Sequence, residues 1–491
     1  MHDANLDAIA SLINTPPMSV KIRTATIHTT QLKTRMPFKY GIATMTEVPM
    51  LFTKLEIETN GKKTSGISSD LLPPKWFTKV PNESIENEIS EMLKVIRNAI
   101  SIAVDSEAEN AFKLWKLIYE RQDIWAKKQS IPPLLAHFGT SLVERAIIEA
   151  TCRLHDQSFH KALLSGSLGF STDSIHSELN KTPFNDLLPQ KPLPKISARH
   201  TVGLGDLLTK EQILENEKIN DTLPQSLDEC IQYYKLKQFK IKINGNIDSD
   251  LERLISIANV ITRETANNFA FSLDGNEQFK SISKFRDYWT EINKEKSLNK
   301  FFKNLLFIEQ PLHRDIALMN SLKDEFNEWP ERPPIIIDES DGELESLPNA
   351  LSIGYSGTSH KNCKGIFKGI ANACLLESNR QAGMATMMSG EDLCNVGPIA
   401  VIQDLAVMAT LGIESVERNG HHYMAGLSQF PKKTQTQVIN THPELYIEGK
   451  MGWPTLKIAN GEINLESVNE QPLGVGFALD LSVFEKVQIQ E

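Results

Sequence analysis

The sequence is poor in cysteine, and the few it has are unpatterned. Cys152, Cys230, Cys363, Cys374 and Cys394 form no Cys-x-x-Cys pair and no framework spacing. An odd, scattered set excludes a disulfide scaffold and is the usage expected of reduced thiols in a cytoplasmic protein. Long hydrophobic runs are missing too. Nothing approaches the roughly 18 consecutive apolar residues of a membrane span, so no transmembrane helix is expected. The opening residues Met1-His2-Asp3-Ala4-Asn5 lack the basic and apolar regions of a signal peptide. Positive charge is in deficit, with 52 Lys and Arg against 62 Asp and Glu and a net charge of −10. That balance argues against nucleic-acid or anionic-membrane partners. Internal repeats and low-complexity tracts are absent. What remains is a chain of 491 residues, 40% hydrophobic and 23% charged, of ordinary globular composition and long enough for two or more domains.

Against that plain background, five short charged-apolar signatures stand in a row between Phe239 and Lys364. They are Phe239-Lys240-Ile241-Lys242, Ser272-Leu273-Asp274-Gly275-Asn276, Phe307-Ile308-Glu309-Gln310-Pro311, Ile337-Asp338-Glu339-Ser340 and Ser359-His360-Lys361-Asn362-Cys363-Lys364. Four of them put a charged group at or just past the end of an apolar, strand-like run, the pattern of strands buried in a parallel sheet. Lys242, Asp274, Glu309 and Asp338 follow one another at 32, 35 and 29 residues. One βαβ unit is roughly 30 residues long, so the charges recur at one end of consecutive parallel strands and converge. Lys240 and Lys242, two apart, share a strand face, and Asp274 and Asn276 have the same spacing. Three carboxylates from successive strands make a hard, oxygen-rich site suited to Mg²⁺, with Mn²⁺ as the alternative. Lysines on both sides would meet a bound substrate from opposite faces.

In this order and spacing the motifs resemble the enolase superfamily, and within it the muconate-lactonizing-enzyme-like subgroup of the mandelate racemase/muconate lactonizing enzyme family. The resemblance implies an α/β fold: a TIM-type, modified β/α barrel with an α+β capping domain formed by the N-terminal part and the C-terminal tail. The expected boundaries are 1–190 for the cap, 191–431 for the barrel and 432–491 for the segment that returns to the cap. By the same resemblance Asp274, Glu309 and Asp338 are the metal ligands, Lys242 and Lys361 the bases, and Lys240 a donor to the substrate carboxylate. Asn276, Lys364 and Glu391 match positions near the substrate, and Glu339 is expected to support the site by pairing with a lysine. The implied reaction is removal of the proton α to the carboxylate of a small acid, giving a metal-stabilised enediolate. Racemisation, epimerisation and cycloisomerisation use the same residues. β-elimination, as in an o-succinylbenzoate-synthase-like lyase or dehydratase, and a metal-binding barrel without turnover are the alternatives. No His-Asp dyad of the mandelate-racemase kind is found. The sixth strand, Gly354 to Ser359, is less apolar than the others, which leaves Lys361 and Lys364 as alternative second bases. A homo-oligomer of such subunits is compatible with the resemblance.

The rest of the chain frames this stretch. Asn60-Gly61 between Leu51–Thr59 and Lys62–Ile67 is a hairpin signal. Segments 37–48 and 66–77 are the cap loops expected to close on the substrate. Ile85, Ile89, Met92, Leu93, Ile96 and Ile100 form a helical stripe, continued by Phe112, Trp115 and Tyr119, and Ser141–Leu154 is a third helix. Ile196–Leu204 is the first barrel strand. The next helix starts at Ser226 with a Ser226/Glu229 capping box. The long connection 205–225 is then either a lid at the catalytic mouth or a solvated surface. Met384–Ser389 is the seventh strand, Pro398–Gly412 an all-round apolar helix, and Ile413–Tyr423 the eighth strand and its loop. His360 is expected to be a satisfied buried histidine, Cys363 a packed small residue, and His421-His422 a solvated pair at the mouth.

Overall fold

A computed structural model describes residues 19–180 and 182–489. Residues 1–18, with the Pro16-Pro17 pair, lie outside the described residues. The chain opens on an antiparallel sheet of β1 (Val20–Tyr40), β2 (Ala43–Thr59) and β3 (Lys62–Leu71). Asn60 and Gly61 both take positive φ (50° and 75°), as a tight two-residue hairpin turn requires. Three helices cover the sheet: α1 (Ile85–Ala103), α2 (Ala111–Lys128) and α3 (Pro133–Leu154). Ser84 caps α1 by accepting from the Asn87 amide. Its stripe faces inward from Met92 to Ala103, but Ile85 at its start is exposed. Gly66 lets β3 close onto α3: a Cβ there would lie 2.0 Å from the Ala146 carbonyl oxygen.

Eight parallel strands then close a barrel. They are β4 (Lys195–Val202), β5 (Gln238–Lys242), β6 (Ala270–Asp274), β7 (Leu305–Glu309), β8 (Ile335–Ile337), β9 (Gly357–His360), β10 (Met387–Gly390) and β11 (Ser415–Arg418). Each pairs with the next, and β11 pairs back to β4 through Val416↔Ala198. The capped TIM-type barrel expected from the motifs is therefore the fold. Between strands lie α4 (Leu227–Tyr234), α5 (Ile247–Thr265), α6 (Ile282–Asn293), two short helices after β7, α7 (Ser346–Ile353), α8 (Ile366–Gln381) and α9 (Ala400–Leu411). The Ser226/Glu229 capping box starts α4 as read from the sequence. All twelve residues of α9 are buried, as its all-round apolar text predicts. The seventh strand begins at Met387, three residues later than Met384, since Thr386 instead bonds back to the Leu376 carbonyl at the end of the preceding helix. After the barrel, β12 (Glu462–Asn464) runs antiparallel to the start of β4, and β13 (Glu485–Val487) returns to pair with β1.

Cap and barrel are locked by a buried polar knot. Arg145 of α3 donates to the Ser69 carbonyl and to Asp70 Oδ2, both at 2.8 Å. Asn395, after β10, donates to Asp404 of α9 at 2.7 Å and accepts from the Leu71 amide at 3.4 Å. The guanidinium pairs with Asp70, whereas Asp404, among the described residues, accepts only from Asn395. Burial, and then the charge of Asp70, push the Asp404 carboxyl up to about 8. Below that pH the native chain holds a proton that the unfolded chain releases near pH 4, so this group makes stability fall as pH rises between the two values. Asp404→Asn is expected to remove a slope of up to about 1.4 kcal/mol per pH unit. In urea unfolding the variant gains on the parent from pH 5 to pH 8; parallel stabilities across that window would refute it.

Candidate active site

The barrel register brings the charged strand ends to one rim. Lys242 pairs in register with Asp274, and Asp274 with Glu309. Asp338 directly follows β8, Lys361 follows β9 and Glu391 follows β10, while Glu417 lies within β11. All seven are less than a tenth exposed. Strand alternation turns Lys240 and Lys242 inward together. Ser359 and Thr358 explain why the sixth strand is less apolar than its neighbours. Ser359 donates to Asp338 Oδ1 at 2.6 Å, and Thr358 donates to Asp341 at 2.8 Å. These buried hydroxyls complete the carboxylates' hydrogen bonding.

Lys240 is the hub. Its Nζ lies 2.9, 2.8, 2.7 and 2.9 Å from carboxylate oxygens of Asp274, Glu309, Glu391 and Glu417. Burial alone would lower its pKa, but these carboxylates, Asp274 foremost, hold it well above the ordinary lysine value. Lys242 donates to Asp274 at 2.6 Å. Lys361 reaches Asp338 at 2.5 Å and Glu391 at 3.0 Å, and Lys364 reaches Asp338 at 2.7 Å. Burial opposes charge on Lys361 as well, but Asp338 and Glu391 outweigh it and raise its pKa well above normal. Burial likewise opposes charge on Asp338 and Glu391, yet the lysines hold both carboxyls low: Lys361 and Lys364 for Asp338, Lys240 and Lys361 for Glu391.

Glu309 is the exception. Burial and the charge of Glu391 push its carboxyl well above the usual range despite Lys240. Both its oxygens are buried and neither accepts a hydrogen bond, because the Lys240 ammonium, though close, lies off a bonding direction. Oxygens of Glu309, Asp338 and Glu391 come within 4.8 Å of one another. Three crowded carboxylates, one of them with both oxygens unpartnered and all offering oxygen donors, are a set that fits Mg²⁺ or Mn²⁺.

Above this cluster lies a cavity of about 50 Å³. Its floor includes Lys240, Lys242, Asn276, Asp338, Lys361 and Glu417. The cap supplies its roof through Phe38, Tyr40, Met45, Pro73 and Trp76. Segment 37–48, read as a loop, is the tip of the β1–β2 hairpin, paired through Tyr40↔Ala43. Trp76 lies over Lys361, whose Nζ is 4.9 Å from the ring centroid. Arg314 clamps this stretch, donating to the Trp76 and Phe77 carbonyls at 3.0 and 2.7 Å while paired with Glu277 at 2.6 Å. A larger space of about 690 Å³ opens at the opposite end of the strands, against Arg199, Phe307 and Met387, away from the carboxylates.

Several expected residues sit elsewhere than the motifs suggest. Lys364 is buried against Asp338 and the Ser359 carbonyl and does not line the cavity, whereas Lys361 does. Glu391, matched to a substrate position, is packed among the carboxylates and Lys240. Glu339 lies 3.5 Å from Lys79 of the cap, the lysine with which it pairs. No residue of 205–225 lines the cavity. Asp221 of that connection instead pairs with Arg35, which also donates to the His422 carbonyl at 2.7 Å. His421 and His422 are buried, not solvated, because the turn after β11 folds under the cap. His360 is buried against α8 and bonded to Asn362 at 3.1 Å, and Cys363 is buried, both as expected. Glu417 and Arg199 were missed. Ser415-Val416-Glu417-Arg418 carries the same strand-then-charge signature as the five motifs, so Glu417 was findable. Arg199, 3.3 Å from Glu391, sits inside an alternating strand with no such mark.

No family model matches the sequence, and no curated protein matches it. Solved structures do. A mandelate racemase/muconate lactonizing protein from Herpetosiphon aurantiacus matches with a TM-score of 0.58 and 13% identity, over 93% of this chain and 99% of that one. A muconate lactonizing enzyme from Pseudomonas fluorescens, complexed with muconolactone, matches at 0.57 and 16%, over 95% and 99%. A dipeptide epimerase from Cytophaga hutchinsonii, complexed with Mg and the dipeptide D-Ala-L-Val, matches at 0.55 and 15%, over 95% and 99%. At such identities the likeness defines the fold. The chain has the capped-barrel fold seen in these mandelate racemase/muconate lactonizing proteins.

If the crowding at Glu309 is what a cation relieves, Glu309→Gln has two opposite effects. Without added metal at neutral pH the variant unfolds no earlier than the parent. The parent is stabilised by Mg²⁺ or Mn²⁺, by about 2.7 kcal/mol at one hundred times the dissociation constant, and the variant is not. Thermal unfolding with and without the ion measures both, and an unchanged metal response in the variant would overturn the reading.

Proposed function

We propose that the protein is an enzyme that removes the proton α to the carboxylate of a small acid and works as a racemase, epimerase or cycloisomerase. One observation carries this. Lys242 and Lys361, from the second and sixth of eight barrel strands and so from opposite sides of the ring, line one cavity above a buried carboxylate cluster. The matched folds include a dipeptide epimerase, a 2-chloromuconate cycloisomerase and an N-succinyl Arg/Lys racemase, which supports this reaction type.

An α-proton beside a carboxylate is very weakly acidic, and an amine alone removes it poorly. Bound by Glu309 and Asp338, with Asp274 from the resemblance and Glu391 from the geometry as further ligands, Mg²⁺ would supply positive charge against the charge that develops on the substrate carboxylate. Lys240, held charged in the cluster, adds a further ammonium on the same side. Lys242 and Lys361 then take and return the proton, one from each face. Each must first leave a carboxylate, Asp274 for Lys242 and Asp338 with Glu391 for Lys361. A general base placed this way contributes typically about 10²–10⁴ in rate. The cavity holds only a few waters, whereas ligand pockets run to roughly 300–1,000 Å³, so the hairpin tip and the Trp76 segment open to admit substrate. Their apolar side chains then shut water out.

The test is exchange of substrate α-hydrogen in D₂O, read by mass over a library of carboxylic acids. Under the two-base reading, Lys242→Ala abolishes exchange from one enantiomer and Lys361→Ala from the other. Each variant loses interconversion by at least about 10²-fold. Loss without facial selectivity would point to a lyase that uses one lysine as base. Exchange at the parent rate on both faces in Lys361→Ala would remove that lysine from the mechanism.

A further inference from the structure

Outside the carboxylate cluster, one other set of metal-ligating side chains among the described residues closes on itself. His200, Cys230 and His422 each present a ligand atom within 4.8 Å of the other two. They come from three elements: β4, α4 and the turn α10 (Gly420–Tyr423) that follows the last barrel strand. Strand alternation places them. Arg199 and Thr201 point into the barrel, to Glu391 and to Glu417, so His200 between them points out toward the helices. There Cys230 Sγ lies 3.5 Å from His422 Nδ1. All three are buried, at 2%, 0% and 3% exposure.

We propose that His200, Cys230 and His422 bind a thiophilic transition-metal ion, zinc by the character of the donors, which joins the first and last units of the barrel. One thiolate and two imidazoles suit Zn²⁺ and not Mg²⁺. The spacing agrees as well. With about 2.3 Å to sulfur and about 2.0 Å to nitrogen, the S···N edge of a tetrahedral zinc site is about 3.5 Å. His421 provides the outer support such sites use, since its Nε2 lies 3.1 Å from His200 Nδ1 and fixes that ring's orientation. The competing account is a hydrogen bond from a thiol to an imidazole, but a thiol is a weak donor.

The site's place gives it a purpose. Tyr423, next to His422, stacks on Phe38 of the roof hairpin with centroids 4.1 Å apart and donates to Asp206 at 2.6 Å. Arg35 of the same hairpin donates to the His422 carbonyl. A metal here anchors the seat on which the hairpin rests, independently of the carboxylate cluster below.

Metal analysis of the full chain from zinc-replete medium should find about one zinc, retained in the presence of excess Mg²⁺. Cobalt(II) in its place should show a sulfur-to-metal charge-transfer band and the intense visible bands of a tetrahedral centre. Cys230→Ser removes the charge-transfer band and lowers zinc affinity by more than the roughly 10–100-fold that loss of an outer partner costs. Asp338→Asn, in the carboxylate cluster, leaves both untouched. X-ray absorption at the zinc edge of the unmutated protein, showing one sulfur among nitrogen neighbours, supports the site even if Cys230→Ser fails to fold. Protein that carries no zinc, or cobalt bound only with the weak spectrum of oxygen ligands, would overturn the proposal.

Discussion

A lysine ammonium held within 2.9 Å of four buried carboxylates is the arrangement on which the barrel mouth depends. Carboxylates gathered this closely, out of water, repel one another by several kcal/mol unless cations sit among them. Lys240 fills that role at the centre, Lys242 and Lys361 at the edges and Lys364 from below. Lys240, Lys242 and Lys361 all line the cavity, and each is tied to carboxylates of the cluster. Glu309, whose oxygens accept no hydrogen bond, marks where further positive charge is wanted.

The roof is held by a second set of ion pairs that does not touch the first. Lys79 bridges Glu277 at 2.5 Å and Glu339 at 3.5 Å, and Arg314 binds Glu277 and the carbonyls of Trp76 and Phe77. On the other side Arg35 ties the β1–β2 hairpin to Asp221 and His422. The long connection 205–225 acts as a strut for the hairpin rather than as a cover. The carboxylates of Glu277 and Glu339 are about 1% exposed, so these are buried pairs whose partners depend on one another, not weak surface bridges. The Asp70–Arg145 pair, with both partners in the cap, is fully buried, and the bond from the Leu71 amide to Asn395 links that knot to the barrel.

Much of the site was legible because parallel strands buried on both faces leave a plain text: an apolar run, then a charge. Lys242, Asp274, Glu309, Asp338 and Lys361 announced themselves that way, and their spacing of about one βαβ unit gave the barrel. Glu417 carries the same mark and only lacked a motif around it. The hairpin at Asn60-Gly61 and the cap at Ser226 were equally local, since each depends on a handful of neighbouring residues.

The sequence by itself determined which chemical groups reach the rim and in what order around it, because strand period and βαβ length are local properties of the chain. What each group touches there was decided by the tertiary structure. Lys240 sits among carboxylates, Lys364 drops beneath Asp338, Glu339 turns out to Lys79, and His421-His422 is buried against the first barrel unit. Those pairings join residues that lie far apart in the chain, across a closed ring. Ring closure and electrostatic balance among buried charges belong to the whole assembly, and no stretch of sequence contains them.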